Sequence, residues 1–108
     1  LEHSDNDPDF YRELLRLFTE EAPKSLERLS SALADNDLEL YTTLVHGLKN
    51  NARGIGADSA GELCFEAEQT ARAGNAAPLP ELHLKIEQAI TEAAAEAARL
   101  SEAEKITQ

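Results

Sequence analysis

From Leu38 to Ile55 the apolar residues recur every three or four positions, a period that only an amphipathic helix satisfies. At ~100° per residue, Leu38, Tyr41, Val45, Leu48, Ala52 and Ile55 fall on one side of that helix. His46, Lys49, Asn50 and Arg53 fall on another. The spacing therefore aims His46 at solvent, beside two cations, and makes this helix both the strongest structural signal and the candidate chemical site.

The rest of the chain is punctuated in the same way. Asp7 followed by Pro8 reads as a helix cap with proline in the first turn, and Phe10, Leu14, Leu17 and Phe18 follow at helical spacing. Pro23 interrupts that pattern, which resumes at Leu26, Leu29 and Leu33, so the first segment is one kinked helix or two helices meeting near Ala22. A turn at residues 34–37 precedes the His46 helix, and Gly54 and Gly56 are placed to end it in a left-handed cap. Ser59 and Glu62 have the spacing of a capping box, which predicts a third helix from about Ser59 with Ala60, Cys64, Ala67 and Ala71 on one face. Gly74 and Asn75 close it, Pro78 and Pro80 mark a linker, and Leu82, Ile86, Ala89, Ala93, Ala97 and Leu100 form the stripe of a long last helix expected to fray from Ser101.

These segments predict an all-α fold, an antiparallel up-down four-helix bundle with a kinked or split N-terminal helix and helices packed at about 20°. A length of 108 residues supports one domain with a single core, expected over residues 7–104. With no methionine anywhere, the chain reads as a piece of a longer polypeptide in which residues 1–6 are linker. Alanine and leucine abound while aromatic and β-branched residues are scarce, which agrees with helix.

A formal charge of −11 disfavours nucleic acid and anionic membrane surfaces as partners, because both would repel the domain. No apolar run is long enough to span a bilayer. The lone Cys64 fits a reducing compartment and, beside Leu63 on an apolar face, reads as core filler. His3 falls in the expected linker, and His83 reads as an ordinary surface or boundary residue in the first turn of the last helix. No histidine has the Glu-x-x-His spacing of a bundle-type di-iron centre, so no metal site is expected. Phe65 lies off the stripe of its helix and reads as a third-face core contact or an anchor for a partner, with core preferred.

The segment His46, Leu48, Lys49 followed by Gly56 and Ala57 resembles the histidine-containing phosphotransfer (HPt) domains of two-component phosphorelays, whose hallmark is a mid-helix His-x-Leu-Lys with Gly-Ala near the helix end. The resemblance extends upstream through residues 18–23 and Leu26, Leu29, Ala32, Leu33 and Asp37, and downstream to Leu63, Cys64, Glu68 and Gly74. It covers roughly residues 10–100. One departure stands out: where the family carries a glycine one turn after the histidine and a small residue next to it, this chain has Asn50 and Asn51. As the i+4 neighbour of His46, Asn50 can hydrogen-bond the ring, contact a phosphoryl group or narrow access.

The resemblance implies a phosphorelay intermediate in the cytoplasm. Neutral His46 would attack a receiver aspartyl-phosphate through its outer nitrogen Nε2, hold the group as phosphohistidine, and pass it to a second receiver. A free imidazole is largely neutral at cytosolic pH and needs no separate base. Lys49 and Arg53 would offset the roughly two negative charges of the phosphoryl group, with Asn50 as a further neighbour. The expected partners are receiver domains, which bring their own Mg2+, and the resemblance allows a histidine kinase in the same polypeptide. No cofactor is expected, no catalytic activity of the domain's own, and a monomer in solution.

Two other classes stay open at this stage. A phosphotransfer-inactive, HPt-like helical adaptor would keep the fold and the acidic surface, and Asn50 is the feature that favours it. A kinase dimerisation hairpin also carries a helical histidine, but an acidic residue typically follows it there, whereas here Gly47 follows.

Overall fold

The computed structural model describes residues 8–106, with side chains through residue 102. Residues 1–6 and the Asp7 cap lie outside that range. Four helices fill it: α1 (Pro8–Ala34), α2 (Leu38–Gly54), α3 (Asp58–Arg72) and α4 (Leu79–Ile106). Links at residues 35–37, 55–57 and 73–78 are short, so consecutive helices turn back on one another. α2 packs most closely against α3 and α1 against α4, and the α1–α2 and α3–α4 contacts close the ring. The long α1 and α4 give the bundle its extent of 48 Å against 21 and 17 Å across.

α1 runs unbroken through Pro23, which resolves the choice between one helix and two in favour of one. Its buried residues Leu15, Phe18, Ala22, Leu29 and Ala32 keep helical phase across the proline, so packing holds the helix together where a backbone bond is missing. At the other end of the chain α4 continues to Ile106, past Ser101 where fraying was expected.

The first three helices stop by the same device. Residue 36, 56 or 74 takes a left-handed conformation (Asn36 φ 54, Gly56 φ 83, Gly74 φ 75), and the next amide donates to the carbonyl five residues back. Those bonds are Asp37 to Ala32 (2.9 Å), Ala57 to Ala52 (2.8 Å) and Asn75 to Thr70 (3.1 Å). Asp37 then caps α2, its carboxylate accepting from the Leu40 amide at 3.1 Å. The capping box at Ser59 does not form. Ala57 both ends α2 and precedes α3, so Ser59 is already inside the helix, and Glu62 turns instead to Arg53 at 3.3 Å.

The core follows the expected stripes on α2 and α3, whereas on α1 Phe10 and Leu17 are exposed, and on α4 Leu79 and Ile90 are buried while Ala89, Ala93 and Leu100 are only partly so. Tyr41, Val45, Leu48 and Ala52 of α2 and Ile55 just past its end meet Ala60, Cys64, Ala67 and Ala71 of α3, with Leu79, Leu82, Ile86, Ile90 and Ala97 supplied by α4. Cys64 is fully buried, and burial pushes its thiol up to about 12, as suits core filler rather than a nucleophile. His83 departs from expectation. It is buried, and its Nδ1 sits 3.1 Å from the Tyr41 hydroxyl across the α2–α4 contact. A buried tyrosine hydroxyl needs a polar partner, and His83 is positioned on the inward side of α4 to provide one.

Among the described residues no helix is long and apolar enough to cross a membrane.

Candidate functional site

Small side chains line the contact between α2 and α3, and they let the two helices approach closely. Ala52, Ala60, Cys64, Ala67 and Ala71 are all buried, and a Cβ added at Gly61 would come within 2.9 Å of Arg53 Cγ. Long polar side chains at the edge of this seam therefore reach the opposite helix.

They converge on one carboxylate. Glu68 of α3 is only 3% exposed at its side chain, and its two oxygens are fully engaged. Lys49 Nζ donates to Oε1 at 2.7 Å, while His46 Nδ1 and Arg72 Nη2 reach Oε2 at 2.7 and 2.8 Å. Burial alone would raise the Glu68 carboxyl, but the hydrogen bonds from Lys49 and His46 and their charges outweigh it and hold it at about 2. Glu68 is thus ionised across the physiological range. A carboxylate can only accept, so the ring nitrogen facing it carries the hydrogen. In the neutral imidazole the lone pair then sits on Nε2, on the side of a ring whose side chain is 51% exposed.

Each residue expected at the site has a distinct place. His46 is on the open face of α2, as its spacing predicted. Asn50 is beside it, with Nδ2 3.4 Å from His46 Nε2. Lys49 differs from expectation: it is not a free solvent cation but is buried to 8% exposure, because it lies on the α3 side of the helix where Glu68 receives its ammonium. Arg53 stays exposed and bridges to Glu62. Phe65 is not core. It is 39% exposed, and its ring lies under Lys49 Nζ at 5.5 Å and Arg53 Cζ at 5.8 Å, a stack that orders both cations along the α2–α3 seam. On the facing surface of α1, Glu20 and Lys24 bond within their own helix, to Arg16 and Glu21, while Glu21 also lines a groove that Asn50 borders.

Glu68 and Arg72 are the site residues that helical spacing on α2 could not supply, since they enter from another helix. A signal was present in the sequence: a glutamate falls in the middle of the apolar face of α3, between Ala67 and Ala71, where a charge without a partner would be costly. Among the described residues no group of three or more His, Cys, Asp or Glu side chains is arranged to hold a metal ion.

This groove between α1 and α2 opens next to the site, with Leu14, Leu17, Phe18 and the acidic Glu21 on one wall and Asn50, Asn51 and Gly54 on the other. No curated protein and no solved structure matches the chain. The family model of the Hpt domain does, over residues 13–96, a span that takes in His46, Lys49, Glu68 and the helices that bring them together. By that match over most of its length, this four-helix chain belongs to the Hpt domain family.

Proposed function

We propose that this domain, over residues 7–104, is a cytoplasmic phosphorelay intermediate that takes a phosphoryl group onto Nε2 of His46 and returns it to an aspartate of a receiver domain. The observation that carries the reading is the 2.7 Å contact between His46 Nδ1 and the buried carboxylate of Glu68, which leaves Nε2 as the outward lone pair. Nε2 attacks the phosphorus of a receiver aspartyl-phosphate, the P–O bond to the aspartate breaks, and the carboxylate leaves. The proton on Nδ1 stays between the ring and Glu68. Positive charge gained by the phosphorylated ring is matched by Glu68, which has no need to move.

Reverse transfer uses the same contacts, with Nε2 as leaving group. Lys49 acts through Glu68, whereas Arg53 stands at the exposed edge where a dianion or an acidic partner can meet it. The partners in this reading are receiver domains that carry their own Mg2+, with the domain itself a monomer that uses no cofactor and has no catalytic activity of its own. A histidine kinase in the same polypeptide fits the same role.

The test is incubation with phosphorylated receiver domains, followed by mapping of acid-labile phosphate. Label is expected at His46 and absent from His46→Gln, whose fold should be intact because the side chain is half exposed. Label on His83, or retained label in His46→Gln, would overturn the assignment. A receiver that binds without transferring phosphate would instead favour the adaptor reading.

A further inference from the structure

Asn50 stands both beside the ring nitrogen of His46 that would react and on the groove between α1 and α2. Its Nδ2 is 3.4 Å from His46 Nε2, and its side chain also forms part of the wall of the groove between α1 and α2. At 3.4 Å the contact is a long hydrogen bond, weak enough to be exchanged. Because Glu68 fixes the hydrogen on Nδ1, Nε2 can only accept there, and the amide N–H is the donor.

From this the geometry points to a two-state role for Asn50, resting on the phosphotransfer reading of His46: its amide holds the Nε2 lone pair in the uncharged domain and becomes a ligand of the phosphoryl oxygens once Nε2 is phosphorylated. In the resting state the bond must be released before attack, which slows charging. After transfer, phosphorus is bonded to Nε2 and its oxygens project further out on the same side of the ring, into reach of the amide that the lone pair no longer occupies. The bond then goes to an anionic acceptor, which strengthens it. In the loose transition state for loss of the phosphoryl group, bonding to Nε2 is largely broken and the group is drawn away from the amide. Asn50 thus stabilises the phosphohistidine more than its breakdown. It makes the domain slower to charge and longer to hold its charge than the same helix with a residue that cannot donate.

Asn50→Ala tests this without threatening the fold, since the position is exposed and alanine is the better helix former. Three readings are compared between wild type and Asn50→Ala. The first is the 15N shift of His46 Nε2 in the uncharged domain. The second is the rate of charging by phosphoramidate, in which Nε2 attacks phosphorus, the donor P–N bond breaks and ammonia leaves. The third is the half-life of the phosphohistidine after the donor is removed.

The Nε2 resonance is expected to move toward that of a free lone pair, charging to quicken and the half-life to shorten, each rate by about two- to tenfold. Asn50→Asp, which cannot donate and adds a negative charge, should shorten the half-life further. Faster charging with an unchanged half-life would show a steric gate and overturn the inference. An unchanged nitrogen shift would overturn it as well. Wild type that charges normally while the half-life ignores Asn50 leaves the phosphotransfer reading standing and the Asn50 role refuted. Wild type that never charges at His46, from phosphoramidate or from receivers, refutes the phosphotransfer reading and with it the phosphoryl contact.

Discussion

His46 and Glu68 stand on different helices, yet a ring nitrogen of one lies 2.7 Å from a carboxylate oxygen of the other, and the carboxylate is almost completely buried while half the histidine is in solvent. In the phosphotransfer proposed above, the exposed partner would carry the chemistry and the buried partner would orient it. A residue held this way loses little freedom when a second protein docks, because its orientation is already fixed by a packed helix.

Glu68→Gln should separate orientation from charge. The amide oxygen can still accept from Nδ1–H, but a neutral acceptor gives up the charge assistance, which corresponds to about a tenfold slower transfer. Glu68→Ala loses the acceptor altogether and should be slower again. Single-turnover transfer from a phosphorylated receiver measures both, and nitrogen NMR of the ring reports whether the hydrogen still resides on Nδ1. Equal rates in wild type and Glu68→Ala would remove Glu68 from the mechanism.

The same carboxylate links stability to pH. Its pKa is lowered from 4.5 to about 2 in the folded protein, a depressed carboxylate whose contribution is complete above the unfolded pKa and is lost as pH falls toward the folded one. At 1.36 kcal/mol per unit the contribution is about 3 kcal/mol, lost between about pH 5 and pH 2. Denaturant titrations across that window should therefore show a steeper decline in wild type than in Glu68→Gln, with the difference flat above about pH 5. Parallel pH profiles would show that folding does not depress the Glu68 carboxyl and would contradict its bonds to Lys49 and His46.

Lys49 is expected to matter for folding as well as for transfer, because its ammonium is the partner that most offsets the burial of Glu68. Lys49→Ala should cost about 1–3 kcal/mol and slow transfer in parallel. Replacing both charges by apolar groups, as in Lys49→Met with Glu68→Leu, should recover most of the stability, since a buried pair is expensive to break but not to replace. Transfer in that double variant should stay low. Chemical denaturation of Lys49→Met, Glu68→Leu and the double variant completes the cycle, and a Lys49→Ala protein as stable as wild type would contradict the buried bridge.

How much of this was visible in the sequence depended on which helix carried the information. Periodicity placed His46 on the open face of α2 and put Tyr41, Val45, Leu48 and Ala52 in the core, because both follow from the phase of one helix. Lys49 and Phe65 were misjudged for a common reason. Their surroundings are set by the α2–α3 seam, where Glu68 draws the lysine inward and the two cations lie over the ring, and no single-helix projection contains that seam. His83 was underrated likewise, since the Tyr41 hydroxyl that needs it belongs to α2. The capping box at Ser59 matched a local pattern but lost to the backbone bond from Ala57 to Ala52, which starts α3 before the serine can act as a cap.

Two glycines inside helices serve opposite needs, and alanine substitution should separate them. Both positions would gain about 0.5–1 kcal/mol of helix stability from the lost flexibility of the unfolded chain. At Gly61 that gain is opposed, because the new Cβ would meet Arg53 Cγ at 2.9 Å and push the guanidinium off the Phe65 ring. Gly61→Ala is therefore expected to show no net gain in stability. At Gly47 an added Cβ meets nothing within 4 Å, so the fold itself does not ask for glycine there. Gly47→Ala should raise the midpoint of thermal unfolding by about 4 °C. Gly47 directly follows His46 on the open side of α2, and the clearance it leaves is available only to a molecule approaching from outside. Transfer from receivers should accordingly slow in Gly47→Ala even as the domain becomes more stable, while charging by a small donor such as phosphoramidate should not change. A stabilised variant with unaltered receiver transfer would show that the partner does not use this space.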